Sequence, residues 1–108
     1  MSAIMVYITA PDLKEAELIG AALVEKKLVA CVNFLDHMKS MYWWDGEVQK
    51  GEEVVMIVKT RKSLMRDVVK KVKELHSYQC PCVASFAIED GNPDFLEWID
   101  EVTEFRVI

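Results

Sequence analysis

The sequence predicts an α+β fold in which helices pack on an antiparallel sheet. Apolar alternation and helical apolar spacing take turns along the chain in the order β-α-β-β-α-β-α. An Asp-Gly pair lies between two strand-like runs, a strong hairpin signal. Apolar residues are 52% of the 108 and charged residues 29%, a full core's supply for one domain spanning residues 1–108.

The first strand covers residues 3–9, where Ile4, Val6 and Ile8 alternate with Met5 and Tyr7. Thr9-Ala10-Pro11-Asp12 reads as a helix start, with a threonine cap, an early proline and a following acid. That helix extends to about Lys27 and buries Leu13, Ala16, Ile19, Ala22 and Leu23. Residues 28–35 begin a second strand, which resumes after a polar interruption at Asp36-His37 through Met38, Met41, Tyr42, Trp43 and Trp44. Asp45-Gly46 suits a type I′ turn, whose central residues both need positive φ. The return strand is residues 47–60, with a bulge or break expected at Lys50-Gly51. Leu64, Val68, Val72 and Leu75 space a second helix over residues 63–75, and residues 83–89 alternate as a fourth strand. Asn92-Pro93-Asp94 starts a third helix, whose apolar face is Phe95, Trp98, Ile99 and Val102. With right-handed crossovers, two βαβ halves interleave into the ferredoxin-like arrangement, with a long central hairpin and an extra C-terminal helix.

Two helices cover one sheet face, yet residues 3–8 and 54–58 are apolar on both faces. Each hairpin arm reaches about 14 residues, or about 46 Å at roughly 3.3 Å per residue. A domain of this length has a radius of gyration of only about 13 Å. Either the hairpin bends over its own core or it pairs with another chain. The aromatic tip, Tyr42-Trp43-Trp44, favours a partner chain.

Composition excludes whole classes of function. Low-complexity tracts are absent, and the longest apolar runs fall far short of a membrane helix. Residues 1–9 lack a basic n-region and a long apolar core, so no signal peptide is expected and the cytoplasm is the expected location. Thirteen basic against 18 acidic residues give a net charge of −5, and the short lysine runs are flanked by acids. No nucleic-acid partner is expected from that balance. Three cysteines argue against a disulfide framework. No phosphate-binding glycine loop, dinucleotide fingerprint or serine-hydrolase motif is present, so no enzymatic activity is expected.

The densest cluster of metal donors is His76-Ser77-Tyr78-Gln79-Cys80-Pro81-Cys82. Alternate residues of an extended segment share a side, so Cys80 and Cys82 can converge, and thiols with imidazole suit Cu(I) or Zn²⁺. The competing reading buries one cysteine in the fourth strand and leaves the other incidental. Lys59, next to a helix start, is a candidate contact for a small anion, or equally a solvated strand-end lysine.

Thr9-Ala10-Pro11-Asp12, Leu28-Val29-Ala30-Cys31-Val32-Asn33, Tyr42-Trp43-Trp44-Asp45-Gly46, Val58-Lys59-Thr60, Gly91-Asn92-Pro93 and Leu96-Glu97-Trp98-Ile99 resemble the CutA divalent-cation-tolerance family in order and spacing. The resemblance covers about residues 4–103. It implies a ferredoxin-like protomer in a homotrimer whose hairpins pair between subunits, a likeness to PII signalling proteins, and an association with tolerance of copper and other divalent metals. By position it makes Cys31 and His76 metal candidates and places Tyr42, Trp44 and Lys59 at an intersubunit cleft. Leu75 and Ile8 stand where copper-binding members can carry histidine and cysteine, while Gln79 and Cys82 replace frequent acids. The expected function is therefore metal tolerance through copper or another divalent metal, none of them obligatory. An effector sensor with its ligand in the cleft and a structural docking platform are the alternatives.

Overall fold

The computed structural model describes residues 2–103. Its strands are β1 (Ala3–Ala10), β2 (Cys31–Trp44), β3 (Glu47–Arg61) and β4 (Val83–Ala87), and its helices are α1 (Leu13–Glu25), α2 (Met65–Leu75) and α3 (Pro93–Val102). A single 3-10 turn, Lys62–Leu64, leads from β3 into α2. The sheet runs β2-β3-β1-β4, and β1–β3, β1–β4 and β2–β3 are all antiparallel, so the ferredoxin-like expectation holds.

The core lies between the sheet and α1 with α2. Ile4, Val6, Ile8 and Ala10 of β1 and Val54, Met56 and Val58 of β3 point into it, meeting Ala16, Ile19 and Leu23 of α1 and Val68 and Val72 of α2. Gly20 marks a close approach, since a Cβ there would stand 2.7 Å from the Phe34 ring.

Several local readings of the sequence shift: Leu13, expected in the buried stripe of α1, is exposed, and β2 begins at Cys31 rather than at residue 28. The α1 cap is Asp12, whose side chain accepts from the Glu15 N–H at 2.8 Å, while Thr9 stays in β1. A carboxylate cap offsets the exposed N–H groups of the first turn and their partial positive charge. Lys50 and Gly51 pair in register with Met41 and Ser40, and the bulge lies at Asp36-His37 instead, between the pairs Leu35–Val55 and Met38–Glu53. Its strained residue is His37, at φ 62, and the His37 N–H donates to Asp36 Oδ1 at 2.7 Å. The fourth strand stops at Ala87, two residues short of the expected end. The Asp45-Gly46 turn forms as expected, with φ of 52 and 76.

Among the described residues, the second sheet face is only partly covered. Arg61, buried at its far end, donates from Nε to Thr103 Oγ1 at 2.8 Å and so ties β3 to the end of α3, where Ile99 is fully buried. Beyond α3, Met5, Leu35 and Phe86 remain exposed, and the hairpin does not fold back over the core. Trp43 is 74% exposed at its tip, and the molecule's long axis is 44 Å against 28 and 23 Å.

Helix α1 ends with Lys27 at φ 59, where the Lys27 N–H bonds to Val24 O and the Leu28 N–H to Leu23 O. This is the C-terminal motif that favours glycine, because a side chain resists the left-handed conformation. Lys27→Gly is therefore expected to stabilise the fold by up to about 1 kcal/mol. An upward shift of the urea midpoint at constant m-value checks it, and an unchanged or lower midpoint contradicts it.

Candidate functional site

The bulge creates the site. Two β2 residues oppose one β3 residue there, so the facing pattern shifts by one. Cys31, Asn33 and Leu35 pair with Lys59, Ile57 and Val55 on the face away from the core, and beyond the bulge Met38, Ser40, Tyr42 and Trp44 take over that face. The segment 76–82 runs from the end of α2 to β4 and supplies the opposite wall. Between them opens a groove of about 760 Å³, floored by Tyr7 and Thr9 of β1 and flanked by Met38, Tyr42 and Trp44 on one side and Tyr78, Cys80 and Cys82 on the other.

Glu53 is the polar centre of the groove. It accepts from the Ser40 hydroxyl at 2.6 Å and from the Tyr78 hydroxyl at 3.0 Å, linking the hairpin base to the 76–82 segment. The Tyr7 hydroxyl donates to the Met38 sulfur at 3.4 Å, which turns that thioether toward the groove. Burial first, and then the hydrogen bond to anionic Glu53, raise the Tyr78 phenol well above its ordinary value. Partial burial, with Glu53 and Cys80 nearby, raises the Cys82 thiol. The groove thus offers one carboxylate, aromatic walls, two thiols and a thioether.

The residues singled out in the sequence separate into three places. Tyr42, Trp44, Cys80 and Cys82 line the groove. Cys31 and Lys59 sit opposite each other on the sheet face away from the core, and the Lys59 ammonium donates to Asn33 Oδ1 rather than reaching over the helix start. His76 has a fully buried side chain at the end of α2. Its Nε2 donates to the Thr9 carbonyl at 2.7 Å, and its Nδ1 accepts from the Tyr78 N–H at 3.0 Å. Glu15 Oε2, 3.3 Å from Nδ1, is itself held by the Ser77 N–H and hydroxyl, each at 2.9 Å. Both imidazole nitrogens are engaged, so His76 braces the 76–82 segment and has no nitrogen left for a metal. Cys31 and His76 together do not fit the metal implied by the resemblance. Among the described residues no three His, Cys, Asp or Glu side chains form a metal-holding group. Glu53, Ser40, Met38 and Tyr78 went unselected in the sequence, because only the bulge turns Met38 and Ser40 toward Glu53.

A ferredoxin-like sheet with a long projecting hairpin, a partly covered apolar face and a groove at the hairpin base defines a small α+β protein. Residues 4–102 match the family described as "CutA1 divalent ion tolerance protein", and the chain belongs to that family. It is 50% identical over 99 residues to the divalent-cation tolerance protein CutA of Archaeoglobus fulgidus, covering 92% of this chain and 96% of the relative. The Pyrococcus horikoshii protein of the same description is 38% identical over 101 residues, covering 94% and 98%. Among solved structures, the Archaeoglobus fulgidus protein superposes with a TM-score of 0.91 at 48% identity, covering 94% of this chain and 99% of that one. CutA1 of Oryza sativa superposes with 0.94 at 36% identity, covering 96% and 95%.

Two predictions follow from the geometry. His76→Ala leaves the Thr9 carbonyl and the Tyr78 N–H without their partner and is expected to destabilise the fold by about 2–3 kcal/mol in urea unfolding. A loss within error of zero contradicts a bracing role. Tyr78 favours its protonated form when folded, so its contribution to stability is complete below the ordinary tyrosine value of about 10 and is lost as pH rises toward the higher folded value. In tyrosinate absorbance titrations of the metal-free protein, Tyr78→Phe should remove the component that titrates last. If it removes an earlier one, the Tyr78–Glu53 contact is wrong.

Proposed function

We propose that the protein acts without enzymatic turnover, as a homotrimer in the divalent-cation-tolerance response, taking copper or another metal into the groove at the hairpin base. The observation that carries this reading is the uncovered sheet face joined to a projecting hairpin. Phe86 is 61% exposed, Met41 68% and Trp43 74%. Burying one such side chain is worth about 1.5–3 kcal/mol, so a surface of this kind strongly favours a partner. Like copies are the simplest partner, and three is the number the family resemblance implies. Tyr42 and Trp44 belong both to the hairpin and to the groove wall, which sets the groove beside the proposed interface. The two relatives' own descriptions, divalent-cation tolerance, support a role in metal tolerance. The exposed free thiols Cys80 and Cys82 suit a reducing compartment, consistent with a cytoplasmic location. A second reading, a small organic effector in place of metal, rests on the size of the groove, which falls in the range of small-molecule pockets.

Native mass spectrometry of the full chain, with and without added metal, tests the reading. A trimer that takes up metal in whole-number ratio to protomers is expected, and Phe86→Glu should shift the mass toward monomer by placing a charge on the open face. A wild-type monomer at micromolar concentration overturns the assembly. A trimer that carries organic mass and ignores metal moves the assignment to the effector reading.

A further inference from the structure

We propose that Cys80 and Cys82, with the Met38 thioether as third donor, form a site for a soft monovalent metal ion, Cu(I). This rests on the groove being the protein's ligand site and names which metal it takes and through which atoms.

Sulfur is concentrated in one place. Cys80 and Cys82 line the groove from the 76–82 side, and Met38 lines it from the hairpin side. The two thiols flank Pro81, whose ring fixes φ and stiffens the short link between them. Met38 is held in place by the hydroxyl of Tyr7, which donates to its sulfur. Both cysteines are exposed and free of disulfides, so a metal can reach them.

The donor set selects the ion. Thiolate and thioether are soft ligands that favour Cu(I), whereas Zn²⁺ asks for four nitrogen, oxygen or thiolate donors. Such a set is missing among the described residues, where no group of even three His, Cys, Asp or Glu side chains is arranged for a metal. Calcium and magnesium need several hard oxygens, whereas among the residues lining the groove Glu53 is the one carboxylate. Cu(I), a closed-shell ion, is satisfied by two thiolates with a thioether beside them. On binding, each thiol releases its proton to solvent and its sulfur donates an electron pair to the metal. Two thiolate S–Cu bonds and one thioether S–Cu bond form, two S–H bonds break, and the copper keeps its oxidation state, so no oxidant or reductant is consumed.

Anaerobic titration with Cu(I) against a chromophoric Cu(I) chelator tests the inference, with thiolate-to-copper charge-transfer absorption as a second readout. Wild-type protein should bind one Cu(I) per protomer. Cys80→Ser and Cys82→Ser should each weaken binding by more than about 100-fold, beyond the ~10–100-fold lost with a supporting hydrogen-bond partner alone. Met38→Leu should weaken it less, and Cys31→Ser should leave it unchanged. Circular dichroism of each variant separates lost ligands from lost folding. Undiminished Cu(I) binding by the folded Cys80→Ser, Cys82→Ser double variant overturns the site, as does loss of binding in Cys31→Ser. Oligomeric mass, recorded on the same samples, keeps the two readings apart. A trimer indifferent to both serine substitutions refutes only the thiol site, while a monomer that still needs both cysteines for Cu(I) refutes only the assembly.

Discussion

Strands β1 and β3 carry apolar side chains on both faces, and the rest of the molecule is organised by the need to bury them. On one face α1 and α2 do so completely, and Val6, Ile8, Met56 and Val58 have no exposed surface. On the other face, among the described residues, α3 packs over one end. The Arg61–Thr103 hydrogen bond and buried Ile99 secure that end. What α3 does not reach stays apolar and open. Half-solvated antiparallel sheets commonly alternate polar residues on such a face. Here Met5 and Phe86 stand exposed, with Ile57 half-buried beside them.

The site depends on a smaller feature, the bulge at Asp36-His37. Without it, Met38 and Ser40 would point to the opposite face from Glu53, and Tyr42 and Trp44 would turn away with them. The single extra residue therefore decides which side chains meet Glu53 and Tyr78. Its left-handed His37 is an accepted strain, eased by the Asp36 hydrogen bond.

Most of the fold was legible because it follows from periodicity and turn chemistry. Alternation places β1 and β3, helical spacing places α1 and α2, and Asp45-Gly46 closes the hairpin. The misplaced cap and bulge share one cause, competition between two local signals. Thr9 and Asp12 could each cap α1, and only the pairing of Thr9 with Val55 in the sheet settles which does. Glycine at position 51 looked the better bulge former, yet it pairs regularly with Ser40, while the polar pair Asp36-His37 supplies both the left-handed residue and its partner. The site was less legible than the fold. Tyr42, Trp44, Cys80 and Cys82 can be picked out by residue type, but Glu53 sits among several acids of β3, and nothing local distinguishes it. Its role arises from a contact 25 residues away, with Tyr78, that only the tertiary fold creates.

His76 shows how a residue can serve a site without entering it. Held between the Thr9 carbonyl and the Tyr78 N–H, its ring fixes the start of the 76–82 segment against the end of β1. From that anchor Tyr78 reaches Glu53, and the segment goes on to Cys80 and Cys82 on the groove wall. Ligand affinity improves when groups are held in place before binding, since less conformational freedom is lost at that step. A histidine used in this way contributes through order, and its two hydrogen bonds exclude direct ligation. The same geometry that removes His76 from the donor set thereby positions the sulfur atoms that remain.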